Sequence, residues 1–257
     1  MASRTCAGCG AALTKDCISR EHILPQWLAK EIHQPDISLK QYRHDEDLLP
    51  DELLRSHDLG SFAIKNVCAS CNNGWMSRLE TRAQSLVLNL MHMRSSLFQL
   101  TEEQRSTLSA WSIKTAFMIA SVQPSISELP WHLFRRLAEE PHQVPVECAV
   151  LGAQLPFLPK GFLYSCPTDI LEPGGHIVQV RIGFSIHNLH LVVVIPMTEA
   201  KRTVRASAVH IPLWPLNVEI RVMYQHLPTV PLASELINVL TQLVEAGIMH
   251  RRDVAPV

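Results

Sequence analysis

Four cysteines, Cys6, Cys9, Cys68 and Cys71, stand as two CxxC pairs. Each pair is a tight turn able to present two thiolates to one tetrahedral ion at about 2.3 Å, and two such turns make a closed four-sulfur zinc site. Free buried thiols are the alternative for the first pair taken alone, but the second pair supplies the expected partner. The glycines of Cys6-Ala7-Gly8-Cys9-Gly10 allow the positive φ angles that turn backbone amides toward sulfur. A tetrathiolate ion is coordinatively closed, so it would hold structure and not itself activate water. Cys17 has no CxxC partner and reads as a buried thiol.

Between the pairs lies Ser19-Arg20-Glu21-His22-Ile23-Leu24-Pro25. Pro25 suits the first turn of a helix, which continues over Gln26 to Ile32 and places His22 at a strand or loop end just ahead. A histidine beside a glutamate is, by itself, more often a surface or satisfied core residue than a catalytic one. Residues 33 to 62 read as an exposed, partly irregular insertion. Its acidic run, Asp45-Glu46-Asp47 and Asp51-Glu52, is of the kind that usually marks a solvated face, and His44 and His57 are candidate accessory ligands. Ser61 to Val67 reads as a strand leading into the second pair. Asn72 is a good N-cap, and from Gly74 the residues Trp75, Leu79, Leu86 and Leu90 recur at helical spacing to about Met93. Trp75 is expected in the core against Trp27.

Cys6-x-x-Cys9, Glu21-His22-x-x-Pro25 and Cys68-x-x-Cys71-Asn72, in that order, resemble the zinc-knuckle branch of the HNH endonuclease family. The run Asn72-Asn73-Gly74-Trp75-Met76-Ser77-Arg78-Leu79-Glu80 is similar to bacterial members that begin with such a core. The resemblance covers residues 1 to 95 and implies a ββα-metal, treble-clef-like fold with a single-metal phosphodiesterase site. His22 would be the general base, and Glu21 with Asn72 would hold a catalytic Mg²⁺ or Mn²⁺. The family's middle asparagine falls to Asn66, which stands closer to the knuckle than the usual spacing. Glu80 would either reach the site and orient His22 or pair on the helix surface with Arg78 or Arg82. In such a site the base makes hydroxide and the cation neutralises charge on the phosphorane and the leaving 3′ oxygen. The implied substrate is nucleic acid, DNA before RNA, in a setting such as restriction, phage defence or mobile elements. The competing reading is a non-catalytic zinc scaffold that binds nucleic acid or protein.

The remainder of the chain must support this module. With 257 residues and 47% hydrophobic content there is enough apolar material for a real core. The formal net charge of -1 provides no global basic field, so nucleic acid would have to meet a local patch. Seven cysteines, with no apolar segment ahead of Cys6, speak against a secreted disulfide framework and for the cytoplasm. The stretch Leu189 to Met197 is too short for a membrane span. Thr101-Glu102-Glu103-Gln104 is a capping box that opens a helix carrying Leu108, Trp111, Ile113, Ala116, Phe117 and Ala120, apolar on more than one side; a second helix runs from Pro130 to Glu139.

From Val144 the texture becomes β, with strands expected at Val144–Leu151, Gly161–Ser165, Ile177–Ile186, Leu189–Pro196 and Thr203–Ile211, and a hairpin turn at His187-Asn188. Ser234 would cap a last helix, Glu235 to Met249. Cys148 and Cys166 read as buried apolar residues, and His176, His187, His190 and His210 as structural. The expectation is an α+β protein: a zinc module over 1–95, a helical bridge over 96–142 and an antiparallel sheet with helices over 143–257. The last segment is a candidate sensor or homo-oligomerisation region.

Overall fold

Thr5 and Ala12 form an antiparallel bridge that closes the first cysteine turn. Within it, Cys6 N donates to Ala11 O at 2.7 Å and Gly10 N to Cys6 O at 2.8 Å. Gly10 sits at φ +75°, where a side chain would be strained; Gly8 is not in that region, and its small size matters for another reason given below. These features belong to a computed structural model of the chain. The structure describes residues 4–32, 38–43, 52–58, 63–123, 126, 128–139, 144–156, 162–165, 168–171, 176–197, 204–206, 210–214 and 220–222.

Strand β1 (Ile18–His22) pairs antiparallel with β4 (Ala63–Cys68), in register Ile18↔Cys68 and His22↔Ala63, with a bulge between Ser19 and Glu21. Pro25 opens α1 (Gln26–Ile32), accepting from Leu28 N and Ala29 N at 2.9 Å. Between α1 and β4, β2 (Ser38–Arg43) and β3 (Glu52–Asp58) pair antiparallel from Ser38↔Asp58 to Arg43↔Glu52. The insertion expected to be irregular thus contains a two-stranded ribbon, which neither segment signals without the other as a backbone partner. His57 falls on β3, while His44, Asp45 to Asp47 and Asp51 lie outside the described residues.

Beyond β4 the chain enters a short helix, α2 (Ala69–Cys71), a π-helical turn (Asn72–Met76) and α3 (Ser77–Met91). Asn72 is not the N-cap. Cys68 takes that place, its sulfur accepting from Cys71 N, and Asn72 is already helical at φ -60°, ψ -56°. Gly74, at φ -90° and ψ -109°, breaks the helical geometry inside the π turn, a usual site for such an irregularity.

Helix α4 (Glu102–Ala120) begins with the expected capping box: Gln104 N donates to Thr101 Oγ1 at 3.2 Å, and Thr101 N to Gln104 Oε1 at 2.9 Å. From Leu108 to Ala120 every residue is buried, the signature of a helix enclosed on all sides. Its neighbours include α3, α5 (Trp131–Glu139) and strands of the main sheet.

That sheet comprises β5 (Ala149–Gln154), β6 (Phe162–Ser165), β7 (Thr168–Leu171), β8 (His176–Ile186), β9 (Leu189–Pro196) and β11 (Ile211–Trp214). Its order is β11-β5-β9-β8-β6, with β7 also pairing β8, and every pairing is antiparallel. The β8–β9 hairpin turns at His187, φ 48°, as the sequence suggested. The sheet, α4 and the cysteine module share one hydrophobic cluster, with Trp111 edge-on to Phe184 at 6.0 Å. The fold is α+β. A second compact unit, Thr203–His210 with Glu219–Val257, contains β10 (Val204–Ala206) and β12 (Ile220–Val222), paired in parallel. The helix expected after Ser234 lies outside the described residues, as does Cys166. No helix among the described residues is long and apolar enough to cross a membrane.

Gln154 joins the sheet to the end of α3: its side chain accepts from Leu97 N at 3.0 Å and donates to Leu90 O at 3.0 Å and Ser95 O at 2.8 Å. Next to it, a Cβ on Gly152 would come within 2.9 Å of Leu213 Cδ1 and 3.1 Å of Leu97 Cδ1. Both leucines are fully buried, so they could yield only by displacing their own neighbours in the core. Gly152→Val is therefore expected to destabilise the fold by about 1–3 kcal/mol in urea unfolding, although valine is the better strand former.

Candidate functional site

The sulfur atoms of Cys6, Cys9, Cys68 and Cys71 all lie within 4.8 Å of one another. Cys9 Sγ and Cys68 Sγ are 3.8 Å apart, close to the edge of a tetrahedron built on zinc–sulfur bonds of about 2.3 Å. Backbone amides point at the cluster: Cys68 N donates to Cys6 Sγ at 3.2 Å and Cys71 N to Cys68 Sγ at 3.4 Å. Three of the cysteines are buried and Cys9 is exposed. Burial raises the Cys6 thiol, but the amides of Cys68, Cys9 and Gly8 outweigh it and bring the group down to about 7. Cys71 is driven the other way, by burial first and then by the neighbouring sulfurs. Sulfurs that disfavour one another's charge in this way are what a metal cation relieves. Among the described residues, this is the one group of three or more Cys, His, Asp or Glu side chains arranged to hold a metal.

Gly8 is small because Cys71 is close: a Cβ there would stand 3.0 Å from Cys71 Sγ. Trp75 covers the same knuckle and packs edge-on to Phe134 at 5.3 Å, while Trp27 packs on Trp111 at 6.5 Å. The expected Trp75–Trp27 pairing is thus replaced by two separate aromatic contacts. Cys17 is partly exposed and not buried as expected; its sulfur accepts from Thr14 N at 3.2 Å and Thr14 Oγ1 at 3.3 Å, which lowers its thiol.

The four residues of the expected catalytic set have separate surroundings. Glu21 is buried and its carboxylate is ion-paired with Lys114, on α4. The same ammonium binds Glu80 Oε1, on α3, at 2.7 Å. Lys114 has no exposed side-chain surface. Burial alone would discharge it, but the two carboxylates more than offset that and hold it above the ordinary lysine range. For Glu21, burial pushes the carboxyl up and the Lys114 charge pulls it part of the way back. Glu80 thus reaches into the core to pair with Lys114.

His22, next along β1, is partly exposed, and strand alternation directs neighbouring residues to opposite faces. Asn72 Nδ2 donates to Ser19 Oγ at 2.8 Å and Arg20 O at 3.3 Å, tying the first turn beyond the knuckle to β1. The Asn66 backbone carbonyl accepts from Ala7 N at 2.9 Å, tying β4 to the first cysteine turn, and its side-chain oxygen is buried.

The cysteines fit a metal; the expected Mg²⁺ or Mn²⁺ site does not fit. The carboxylate meant to hold that cation, Glu21, is already compensated by a buried ammonium. Lys114 was missed in the sequence, although a lone lysine among Trp111, Ile113, Ala116 and Phe117 signals a buried charge that must find a partner. No family model, curated protein or solved structure matches the chain.

Removing the ammonium leaves Glu21 buried and unpaired. Lys114→Met is expected to cost about 3–5 kcal/mol by chemical denaturation, and Lys114→Met combined with Glu21→Leu is expected to recover much of that loss.

Proposed function

We propose that the four cysteines hold one structural zinc, and that the ββα module they clamp hydrolyses phosphodiester bonds of nucleic acid with His22 as general base. The observation that carries this reading is the pair of hydrogen bonds from Asn72 to Ser19 and Arg20. They support an arrangement in which the first turn after the second knuckle faces the strand that ends in His22. Imidazole is the side chain suited to this work at neutral pH, and partial exposure leaves the His22 ring open to water. The ring takes a proton from water, the resulting hydroxide attacks phosphorus, and the bond from phosphorus to the 3′ oxygen breaks as that oxygen takes a proton from solvent water, to which the ring afterwards returns its own. Glu21, fixed by Lys114, anchors the end of β1 and has no direct part in the chemistry.

One specific observation favours a second reading, in which the module is a non-catalytic zinc scaffold that binds nucleic acid or protein. Compensation of Glu21 by Lys114 removes the carboxylate that a divalent cation would need.

Elemental analysis of the purified chain is expected to find one zinc per molecule. Gly8→Ala, by crowding Cys71, is expected to weaken zinc about 10–100-fold in a chelator competition.

Zinc-loaded protein, incubated with supercoiled plasmid and with single-stranded DNA in the presence and absence of Mg²⁺ or Mn²⁺, tests the nuclease. Cleavage that falls by about 10²–10⁴-fold in a zinc-loaded His22→Ala variant is the expected result. Retention of DNA without cutting by the native chain would transfer the assignment to the scaffold.

A further inference from the structure

Trp75 is buried, 5% exposed, yet its indole nitrogen has no hydrogen-bond partner. A tryptophan enclosed in a core usually finds an acceptor for this N–H, and leaving the donor unpaired is destabilising. The nearest sulfur of the cysteine cluster lies at hand. A Cβ placed on Gly8 would stand 3.0 Å from Cys71 Sγ and 3.4 Å from Trp75 Nε1. The sulfur and the indole nitrogen thus border one small space, which glycine leaves open between them. Trp75 reaches it from the π turn that follows Cys71, since side chains on a helical turn lean back toward its N-terminal side.

Backbone amides serve other sulfurs of the cluster, Cys68 N donating to Cys6 and Cys71 N to Cys68. Four thiolates around one dication carry a net negative charge, and donors around them disperse it and fix the ligands in place. Loss of the Cys71 proton to the metal would leave that sulfur an acceptor only. We propose that in the metal-loaded chain the Trp75 indole N–H donates to the Cys71 thiolate, making Trp75 a positioning residue of the metal centre as well as its cover. Phe134, edge-on to the same ring at 5.3 Å, holds the indole in place from the other element it touches. This role rests on the four cysteines holding a metal and is independent of hydrolysis at His22.

Nuclear magnetic resonance of the full chain loaded with a spin-active cadmium isotope tests it, because a hydrogen bond to a metal-bound sulfur transmits a scalar coupling between its proton and the metal. The Trp75 indole proton, assigned by its loss in Trp75→Phe, is expected to show that coupling. Replacing Trp75 by benzothienyl-alanine keeps the ring shape and puts sulfur in place of the N–H, which separates donation from packing. In that isostere zinc is expected to bind about 10–100-fold more weakly in a chelator competition. The sulfur-to-metal charge-transfer band of its cobalt-loaded form is expected at longer wavelength than in the native chain, since a thiolate without the donor gives up an electron more easily. Metal-loaded protein whose indole proton is uncoupled, or whose affinity and band are unchanged in the isostere, would overturn the role of Trp75 and leave the metal centre standing. A native chain that takes up neither zinc, cadmium nor cobalt would overturn both.

Discussion

A lysine with no exposed side-chain surface keeps its charge only where counter-charges are fixed around it, and Lys114 imposes that condition on three elements at once. Glu21 must come from β1, Glu80 from α3, and the ammonium from α4. An apolar contact between these elements would tolerate sliding by a fraction of a turn. The ion triad does not, since a buried carboxylate moved away from the ammonium loses its compensation. The packing of β1 and α3 on α4 is thereby reduced to one register.

The cysteine cluster imposes a second and more local condition. The first turn and the start of α2 are 62 residues apart for Cys6 and Cys68, with a ribbon and a helix between them. Bringing four sulfurs within 4.8 Å closes that long loop at one point, where a small module has little apolar surface of its own to do so. Asn72 then extends the closure beyond the knuckle, because the π turn that follows Cys71 carries its amide to β1. The two constraints are complementary: the cysteines hold the ends of the module together, and the triad holds the module to α4.

What was legible in the sequence follows from how local each signal is. The cysteine pairs, the capping box at Thr101 and the strand Leu189–Pro196 are each specified by residues within a few positions of one another, and each appears where expected. The β2–β3 ribbon was not legible, because its pairing is made by backbone groups and its segments lack clear alternation. Asn72 was misread as a cap because its type suits one, whereas its amide is used by a strand 53 residues away. The partners of Trp27 and Trp75 were equally open, since any two large aromatics in one module are plausible neighbours until α4 and α5 are in place. For Lys114 the signal was present but incomplete: its helical setting demands a counter-charge without saying which carboxylate supplies it.

The bulge between Ser19 and Glu21 connects these constraints to the facing of β1. Side chains alternate along a strand, and a bulge resets which of two neighbours faces inward. With the bulge where it is, Glu21 turns to the buried ammonium and His22 to the other face. A slip of one residue would set His22 against Lys114, where a protonated ring would meet a like charge and a neutral one would leave the ammonium short of a counter-charge. Packing alone does not require an ion triad, since well-fitted apolar side chains serve as well or better. What the triad adds is discrimination between those two registers. It also commits Glu21 to the core and leaves His22, its neighbour on β1, partly exposed.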